Sequence, residues 1–465
     1  MKVSIIILTY NQLPLTKQCL DSLRKHTNKE EIELIVVDNG SSDGTVDYLK
    51  SQPDIKLIRN KHNVGFAKGC NQGGEVATGD YILFLNNDTV VTKNWLAPML
   101  GRLASDERLG MIGPISNYVS GQQQIPVPYT QISQVDKFAE QIQKENAGKT
   151  KKVLRLVGFC LLAKRIVLDE IGWFDEDFEL GSFEDDDLCI RALQQGYQLA
   201  IALDSFVHHH GHATFTGNQD LNINHLFHVN QQRFIDKWQT NLTYYTHPRP
   251  EIVNLVPTNA KRILDVGCAA GATGLELLNR QDCEMYGIEL NSLAASLARS
   301  HYQEVQSIDV ETTENEYPES FFDTIIFADV LEHLKDPWQV IKRCNNYLKP
   351  GGSMVVSLPN IAHAEALLPL LQGNWNYVDA GILDRTHLRF FTPNTVHTLF
   401  PSEQFTIHSQ AYTKFPVDPK VQIFFTEVTH LGKKFGFELD HLSEYATRYQ
   451  ILFRVEKVES GEKDI

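Results

Sequence analysis

The chain has 465 residues, more than one ordinary hydrophobic core accommodates, so two domains are expected. Its 42% hydrophobic and 22% charged residues are those of a soluble globular protein, and a formal net charge of -15 excludes general affinity for a nucleic-acid backbone. Seven dispersed cysteines without CxxC spacing suit reduced, buried thiols in the cytoplasm rather than a disulfide framework.

The apolar run within Met1–Leu8 is shorter than the roughly 7–15 residues of a signal-peptide core, and no small-residue cleavage site follows it. No run approaches the roughly 20 apolar residues of a membrane span. The chain is therefore expected in the cytoplasm, where contact with the cytoplasmic face of the membrane stays open to it. Val3 to Leu8 reads as a buried parallel strand, stopping at Thr9-Tyr10-Asn11, with Pro14 in the first turn of the next helix. A second buried strand, Ile32–Val37, ends in Asp38-Asn39-Gly40, and Ile55–Ile58 forms a third. Asn63 to Gly69 opens a helix with small residues, and Tyr81–Leu85 is a fourth strand, ending in Asn86-Asn87-Asp88. Strands alternating with helices on this spacing imply a parallel, doubly wound sheet. Its strand ends would bring Thr9, Asn11, Asp38 and Asp88 to one crevice, the usual ligand site of such sheets. A carboxylate there suits a divalent cation, although an Asn-rich turn after a core strand is the plain alternative.

These residues carry a resemblance. Ile5–Asn11, Val36–Thr45, Asn63–Ala67 and Asn86–Asp88 resemble the inverting family-2 glycosyltransferases of GT-A fold, the rhamnosyltransferase-like branch above all. The resemblance implies a nucleotide-sugar donor held by Thr9, Asn11 and Asp38, with Asp88 as the metal-binding acid of an Asp-X-Asp motif whose first Asp is here Asn86. Residues 119–150 are polar, with Pro126 and Pro128, and read either as a flexible segment over the active site or as a passive insertion. Next, Phe183-Glu-Asp-Asp-Asp-Leu188 places four acids before a helix, where its positive end favours them. The segment resembles the family's Glu-Asp-X-Asp-Leu motif, which implies Asp185 as the base that deprotonates the acceptor hydroxyl, supported by Glu184 and Asp187. In Phe206–His212 the family's His-X-Gly pattern falls best on His209 as a further metal ligand, with His208 and His210 as alternatives. Imidazole suits Mn²⁺ better than Mg²⁺, and either cation is compatible with the motif.

Residues 241–257 contain three prolines and read as a linker between a domain over 1–240 and another over 258–465. Beyond it, Arg262–Gly274 is a strand breaking into small residues, in neither GxGxxG nor P-loop spacing. Met285–Leu290 ends near Glu289, another strand region ends at Asp309, and Phe322–Ala328 leads into Asp329-Val-Leu-Glu-His333. Lys349-Pro-Gly-Gly352 and Ser353–Ser357 supply a turn and the next strand, and a further strand pair is expected after residue 400. This ordered set resembles the class I S-adenosylmethionine-dependent methyltransferases, with Ala269 where their first motif has Gly. It implies a Rossmann-like fold in which Asp265, Gly267 and Gly271 belong to the cofactor motif, Glu289 binds the ribose and Asp309 the adenine. His333, and after it His387, are candidates for a base, or for plain polar contacts. Residues 359–400, with Trp375, Tyr377, Arg385, His387 and Arg389, resemble a substrate-binding cover, with core packing of a small cap as the alternative.

The expectation is an α/β protein of two domains, an N-terminal GT-A nucleotide-sugar-binding fold and a C-terminal Rossmann-like methyltransferase fold. It would transfer a sugar with inversion to a glycan or lipid-linked glycan and methylate the product, in cell-surface polysaccharide biosynthesis. The rival expectation is that one module is catalytic and the other binds or scaffolds.

Overall fold

The run Val3–Thr9 is aliphatic on both faces and forms β1, buried almost throughout. A strand covered on both sides has no use for alternation, hence the unbroken apolar sequence. The computed structural model describes residues 2–211, 223–239, 246–312 and 317–458. The chain divides into two units, Met1–Thr246 and His247–Ile465.

In the first unit, α1 (Leu13–His26) follows β1, then β2 (Ile32–Asp38), α2 (Thr45–Lys50), β3 (Ile55–Arg59), α3 (Phe66–Val76) and β4 (Tyr81–Asn86). These four strands are parallel, in the order β3-β2-β1-β4. Register sets Thr9 opposite Asp38 and Leu8 opposite Asn86, so three strands end level at one edge. After β5 (Thr89–Val91), α4 (Ala97–Ser105) and β6 (Leu109–Ile115), the chain makes α5 (Val135–Asn146) and β7 (Thr150–Val153). It continues through β8 (Cys160–Lys164), α6 (Arg165–Ile171), α7 (Glu184–Gln194), β9 (Gln198–His209) and α8 (Ile223–Trp238).

The sheet is mixed, where a purely parallel one was expected: β8 runs antiparallel to β4 and β6, and β9 antiparallel to β5 and β7. Residues 119–150 are built into the unit. Val135, Phe138, Ala139 and Ile142 recur at helical spacing, Val135 and Ala139 are buried, and the Phe138 ring meets Phe206 of β9 at 5.1 Å.

The second unit starts with a short helix, α9 (Pro250–Leu255), inside the stretch read as linker. Ile252, Val253 and Val256 are buried in a core with Ile263 and Met285, so these residues belong to the fold. Residues 241–245 of that stretch lie outside the described residues, as do 459–465.

Then come β10 (Arg262–Val266), α10 (Ala272–Arg280), β11 (Glu284–Ile288), α11 (Ser292–Ala298), β12 (Glu304–Gln306) and β13 (Phe322–Ala328). They are followed by α12 (Pro337–Tyr347), β14 (Leu348–Pro359), α13 (Ala364–Leu371), β15 (Phe405–Lys414), α14 (Pro419–Lys434), α15 (Leu442–Tyr445) and β16 (Arg448–Lys457). The sheet order is β12-β11-β10-β13-β14-β16-β15. The first five strands are parallel, and β16 lies antiparallel to both β14 and β15, the strand pair expected after residue 400. Val266 aligns with both Ile288 and Phe327, so Gly267, Glu289 and the Asp329–His333 segment all leave the sheet at the same edge.

Candidate functional site

In the first unit the strand ends supply the chemistry. Asp38 is fully buried, and its Oδ1 accepts the amide protons of Gly40 and Ser41 at 3.1 and 3.0 Å, turning the chain sharply. Its Oδ2 is buried without a hydrogen-bond partner among the described residues. A buried carboxylate oxygen left unpaired is costly unless a ligand completes it. Asn11, at φ +55°, ties β1 to that loop: its Oδ1 accepts from the Ser42 amide at 2.9 Å, and its own amide donates to Ser41 Oγ at 2.7 Å. The Thr9 hydroxyl is engaged below, 3.0 Å from Thr16 Oγ1 and 3.3 Å from Asn87 Nδ2, so its side chain holds the strand end together.

Asp88 and His209 meet because β5 pairs with β9, setting Thr89 opposite His209. His209 Nε2 lies 3.1 Å from Asp88 Oδ1, yet that oxygen has no hydrogen-bond partner among the described residues. His209 Nδ1 lies 2.8 Å from the Tyr118 carbonyl, an acceptor only, so the ring proton sits on Nδ1 and Nε2 offers a lone pair. Two donors at this distance without a hydrogen bond, one braced from behind, fit a shared cation. The ring also stacks on Phe159 at 5.3 Å.

The neighbouring histidines point elsewhere. His208 Nδ1 is 2.7 Å from the Tyr129 hydroxyl, and burial, then His210 and His209, push it down to about 4. His210 Nε2 meets Gln18 Oε1 at 2.8 Å, and burial lowers it as well. A cleft of about 320 Å³ is lined by these three histidines together with Tyr118, Tyr129 and Ile132, so part of the 119–150 segment borders the site. The larger cleft, about 440 Å³, lies at the amino ends of β2 and β3, among Arg24, Asp54 and Lys56, away from the strand ends that bind ligands in such sheets.

The four acids open α7, after a turn in which Ser182 and Phe183 take φ of +80° and +74°. Asp185 Oδ2 accepts from the Gly158 amide at 2.8 Å and its Oδ1 from the Asp186 amide at 2.9 Å. Gly158 adjoins Phe159, the residue stacked on His209, so Asp185 and the Asp88–His209 pair border the same crevice. Burial, then Asp185, hold the Glu184 carboxyl well above its usual range, and the same two causes push Asp186 up to about 7 against the lowering effect of its partner Arg155. Asp187 is spent on structure, bonded to Arg191 Nε at 2.8 Å, Lys237 Nζ at 2.6 Å and Trp238 Nε1 at 3.0 Å. The Tyr118 carbonyl and the Gly158 amide carried no sequence signal, because backbone groups supply the contacts.

In the second unit, Gly267 and Gly271 take φ of +72° and +79°. A Cβ at Gly267 would stand 2.3 Å from Val330 Cγ2, so the loop after β10 closes on the segment after β13. This cradle of small residues leaves backbone available to a ligand and fits a cofactor. Glu289 braces it from β11: Oε2 accepts from the Ala269 amide and Oε1 from the Asn291 amide, both at 2.8 Å. Asp309 Oδ1 accepts from the Glu311 amide at 2.8 Å. Asp265 lies beneath, bonded to the Tyr302 hydroxyl at 2.8 Å, and burial, then Glu289, push it up to about 7.

His333 and His387 come together, with ring centroids 4.8 Å apart. Glu332, beside them, is 1% exposed, and neither carboxylate oxygen has a hydrogen-bond partner among the described residues. Burial, then Asp329, raise it well above the usual carboxylate range. The sequence had drawn attention to its neighbour His333 only. Trp375, Tyr377 and Phe390 form an exposed aromatic group, with Phe390 6.5 Å from His387.

Comparison with known proteins gives the same division. The family model described as Glycosyl transferase family 2 matches residues 4–172, and one described as a methyltransferase domain matches residues 231–410. The chain is similar to the uncharacterized glycosyltransferase YfnE of Bacillus subtilis (strain 168), 26% identical over 310 residues, covering 57% of this chain and 79% of that protein. It is also similar to the ubiquinone biosynthesis O-methyltransferase of Paracidovorax citrulli (strain AAC00-1), 33% identical over 129 residues, covering 26% of this chain and 53% of the relative. The chain thus spans about half the length of the O-methyltransferases of this name that it matches. Among solved structures, mannosyltransferase PcManGT from Pyrobaculum calidifontis in complex with GDP-Man and Mn2+ is 16% identical, with a TM-score of 0.37 over 64% of this chain and 72% of that one, too distant to bear on activity. The chain is a transferase that joins a family 2 glycosyltransferase domain to a methyltransferase domain of Rossmann-like fold.

Proposed function

We propose that the first unit transfers a sugar, with inversion, from a nucleotide-sugar to a glycan or lipid-linked glycan, and that the second methylates a hydroxyl of the product from S-adenosylmethionine. The setting is cell-surface polysaccharide biosynthesis. The observation that carries this is the apposition of Asp88 and His209 without a hydrogen bond between them, across a crevice bordered by Asp38 and Asp185. In this scheme Asn11 and Asp38 hold the donor, with Thr9 fixing the strand end beneath it. Asp88 and His209 hold a divalent cation that binds the donor's phosphates, and the imidazole favours Mn²⁺ over Mg²⁺. Asp185 takes the proton from the attacking hydroxyl.

In the second unit Gly267 and Gly271 cradle the methyl donor, Glu289 and Asp309 meet its ribose and adenine, and Asp265 supports the loop. His333 and His387 lie where the acceptor hydroxyl would enter. The exposed faces of Trp375, Tyr377 and Phe390 supply the apolar platform on which sugar rings stack, which supports a glycan as methyl acceptor. A lipid-linked acceptor would bring the enzyme to the cytoplasmic face of the membrane. Among the described residues no helix is long and apolar enough to cross it.

The test is a screen of nucleotide-sugar donors, with product masses compared in the presence and absence of S-adenosylmethionine. A glycan gaining one sugar, then one methyl, is expected. Asp185→Asn should lower sugar transfer by about 10²–10⁴-fold and leave methylation of a pre-glycosylated acceptor intact. Sugar transfer without any methyl gain under every condition would leave the second unit a binding or scaffolding domain.

A further inference from the structure

The buried group beside the methyl-donor loop has a composition that a single general base does not explain. Glu332 and His333 end the short turn Leu331–His333 directly after β13, and His387 reaches them from the segment after residue 380. One ligand-capable atom from each of the three side chains lies within 4.8 Å of the others. A carboxylate closed off from water with neither oxygen paired is expensive, and a neighbouring histidine that donated a proton to it would remove the cost. Neither does.

The hydrogen bonds behind the rings explain this. His387 Nδ1 lies 2.9 Å from the Ile382 carbonyl, which only accepts, so the proton is on Nδ1. His333 Nδ1 lies 3.1 Å from Thr386 Oγ1, and the single proton of that hydroxyl goes to Asp384 Oδ1 at 2.6 Å. Thr386 therefore accepts from His333, whose proton is likewise on Nδ1. Neither of these hydrogen bonds engages an Nε2, so both Nε2 lone pairs stay available to a cation. Histidine ligands braced through Nδ1–H by a carbonyl or by a hydroxyl tied to a carboxylate are the usual outer shell of a metal centre.

We propose that Glu332, His333 and His387 bind a divalent transition-metal cation. Two imidazoles and one carboxylate suit Zn²⁺, Mn²⁺, Fe²⁺ or Co²⁺ and are a poor set for Mg²⁺ or Ca²⁺. Ligands on one such ion stand no more than about 4.2 Å apart, so the three side chains draw slightly together on binding. Three protein ligands leave at least one coordination position open, as in catalytic rather than structural sites.

That position takes the acceptor's hydroxyl oxygen, an assignment that rests on the methyltransferase function proposed above. Bound to the cation, the hydroxyl loses its proton to water. Its oxygen then forms the new bond to the methyl carbon as the carbon–sulfur bond breaks, and the sulfonium leaves as a neutral thioether. His333 and His387 are then ligands, and no side-chain base is needed.

The full chain carrying Asp88→Asn, which removes the cation site proposed in the first unit, is titrated with Co²⁺ and followed by its visible d–d absorption. One equivalent should bind with bands of a His- and carboxylate-ligated ion, and Zn²⁺ should displace it. Adding Glu332→Gln or, separately, His387→Gln should abolish the bands, while S-adenosylmethionine binding measured by calorimetry on the same proteins reports that each remains folded. Absence of the bands from the Asp88→Asn protein with Glu332, His333 and His387 intact, while it binds S-adenosylmethionine, or bands that persist in the Glu332→Gln and His387→Gln proteins, overturns the metal site and leaves the methyltransferase function standing. Bands in a protein that binds no S-adenosylmethionine support the metal site and overturn that function instead. Methyl incorporation that survives complete removal of the cation overturns the role given to it.

Discussion

Ala269 is the residue at which the second unit departs most visibly from a glycine-rich loop. It sits at φ +48° with its amide held by Glu289, a conformation an alanine adopts at a cost of about 1–2 kcal/mol. Ala269→Gly should relieve that strain and lose part of the gain, roughly 0.5–1 kcal/mol, to the greater freedom of the unfolded chain. The second unit's melting temperature is then expected to rise by about 2 °C, read by scanning calorimetry. A lower one would show that the loop is unstrained. What the sequence made legible at this scale was identity without apposition. Asp88 and His209 stood out from their motifs, but the 3.1 Å between them comes from the pairing of β5 with β9, two segments far apart in the chain. Glu332 was passed over because a glutamate beside a histidine on a short turn is ordinary until its burial is known. Backbone contributors such as the Tyr118 carbonyl leave no mark in a sequence at all.

At the scale of elements, β10 carries a buried carboxyl whose charge works against the fold. Asp265 titrates near 7 in the folded unit, against a carboxylate's ordinary value near 4. Between those two pH values the folded chain holds a proton that the unfolded chain has released. Stability contributed by this group is therefore full below about pH 4 and falls as pH rises toward 7, by roughly 4 kcal/mol in total. Asp265→Asn should flatten that portion of the curve, measured as hydrogen exchange of the β10 and β11 amides in the full chain at pH 5 and pH 7.5. An equal slope in wild type and variant would remove Asp265 as its source. Element by element, the strands were easy to read because each is a short apolar run ended by a carboxylate or glycines. The helix Val135–Asn146 was hidden by the glutamines and prolines before it, although Val135, Phe138, Ala139 and Ile142 keep a helical period. The antiparallel direction of β8 is a matter of topology, and periodicity alone carries no information about it.

For the whole molecule, separate cores in the two units imply separate responses to ligands. One centres on Ile5, Val36 and Leu83, and others in the second unit on Leu264, Ile325 and Val356 or on Ile263 and Met285. A ligand at one hundred times its dissociation constant adds about 2.7 kcal/mol to whatever binds it. With Mn²⁺ present throughout, S-adenosylmethionine should raise the unfolding temperature of the second unit alone, and the correct nucleotide that of the first alone, followed by differential scanning calorimetry. A nucleotide that shifts both transitions equally would contradict this separation of sites.

The helix Ile223–Trp238 has a bearing on how the chain tolerates being cut. The methyltransferase family match begins at residue 231, inside it, yet the helix is fastened to the first unit. Asn230 donates to the Phe178 and Gly181 carbonyls at 2.7 Å, Arg233 pairs with Glu179 at 2.6 Å, and Lys237 and Trp238 both bond Asp187. Severing the chain at the edge of the match would strip Lys237 and Trp238 from a fully buried carboxylate and leave it with Arg191 alone. Losing one partner of a buried ion pair costs about 3–5 kcal/mol, a large share of any domain's margin. A glycosyltransferase half ended at residue 230 should therefore emerge from synthesis poorly folded and prone to degradation, while one ended between Gln239 and His247 keeps the clamp whole. Evolution exchanging the second module for another would be held to the same seam.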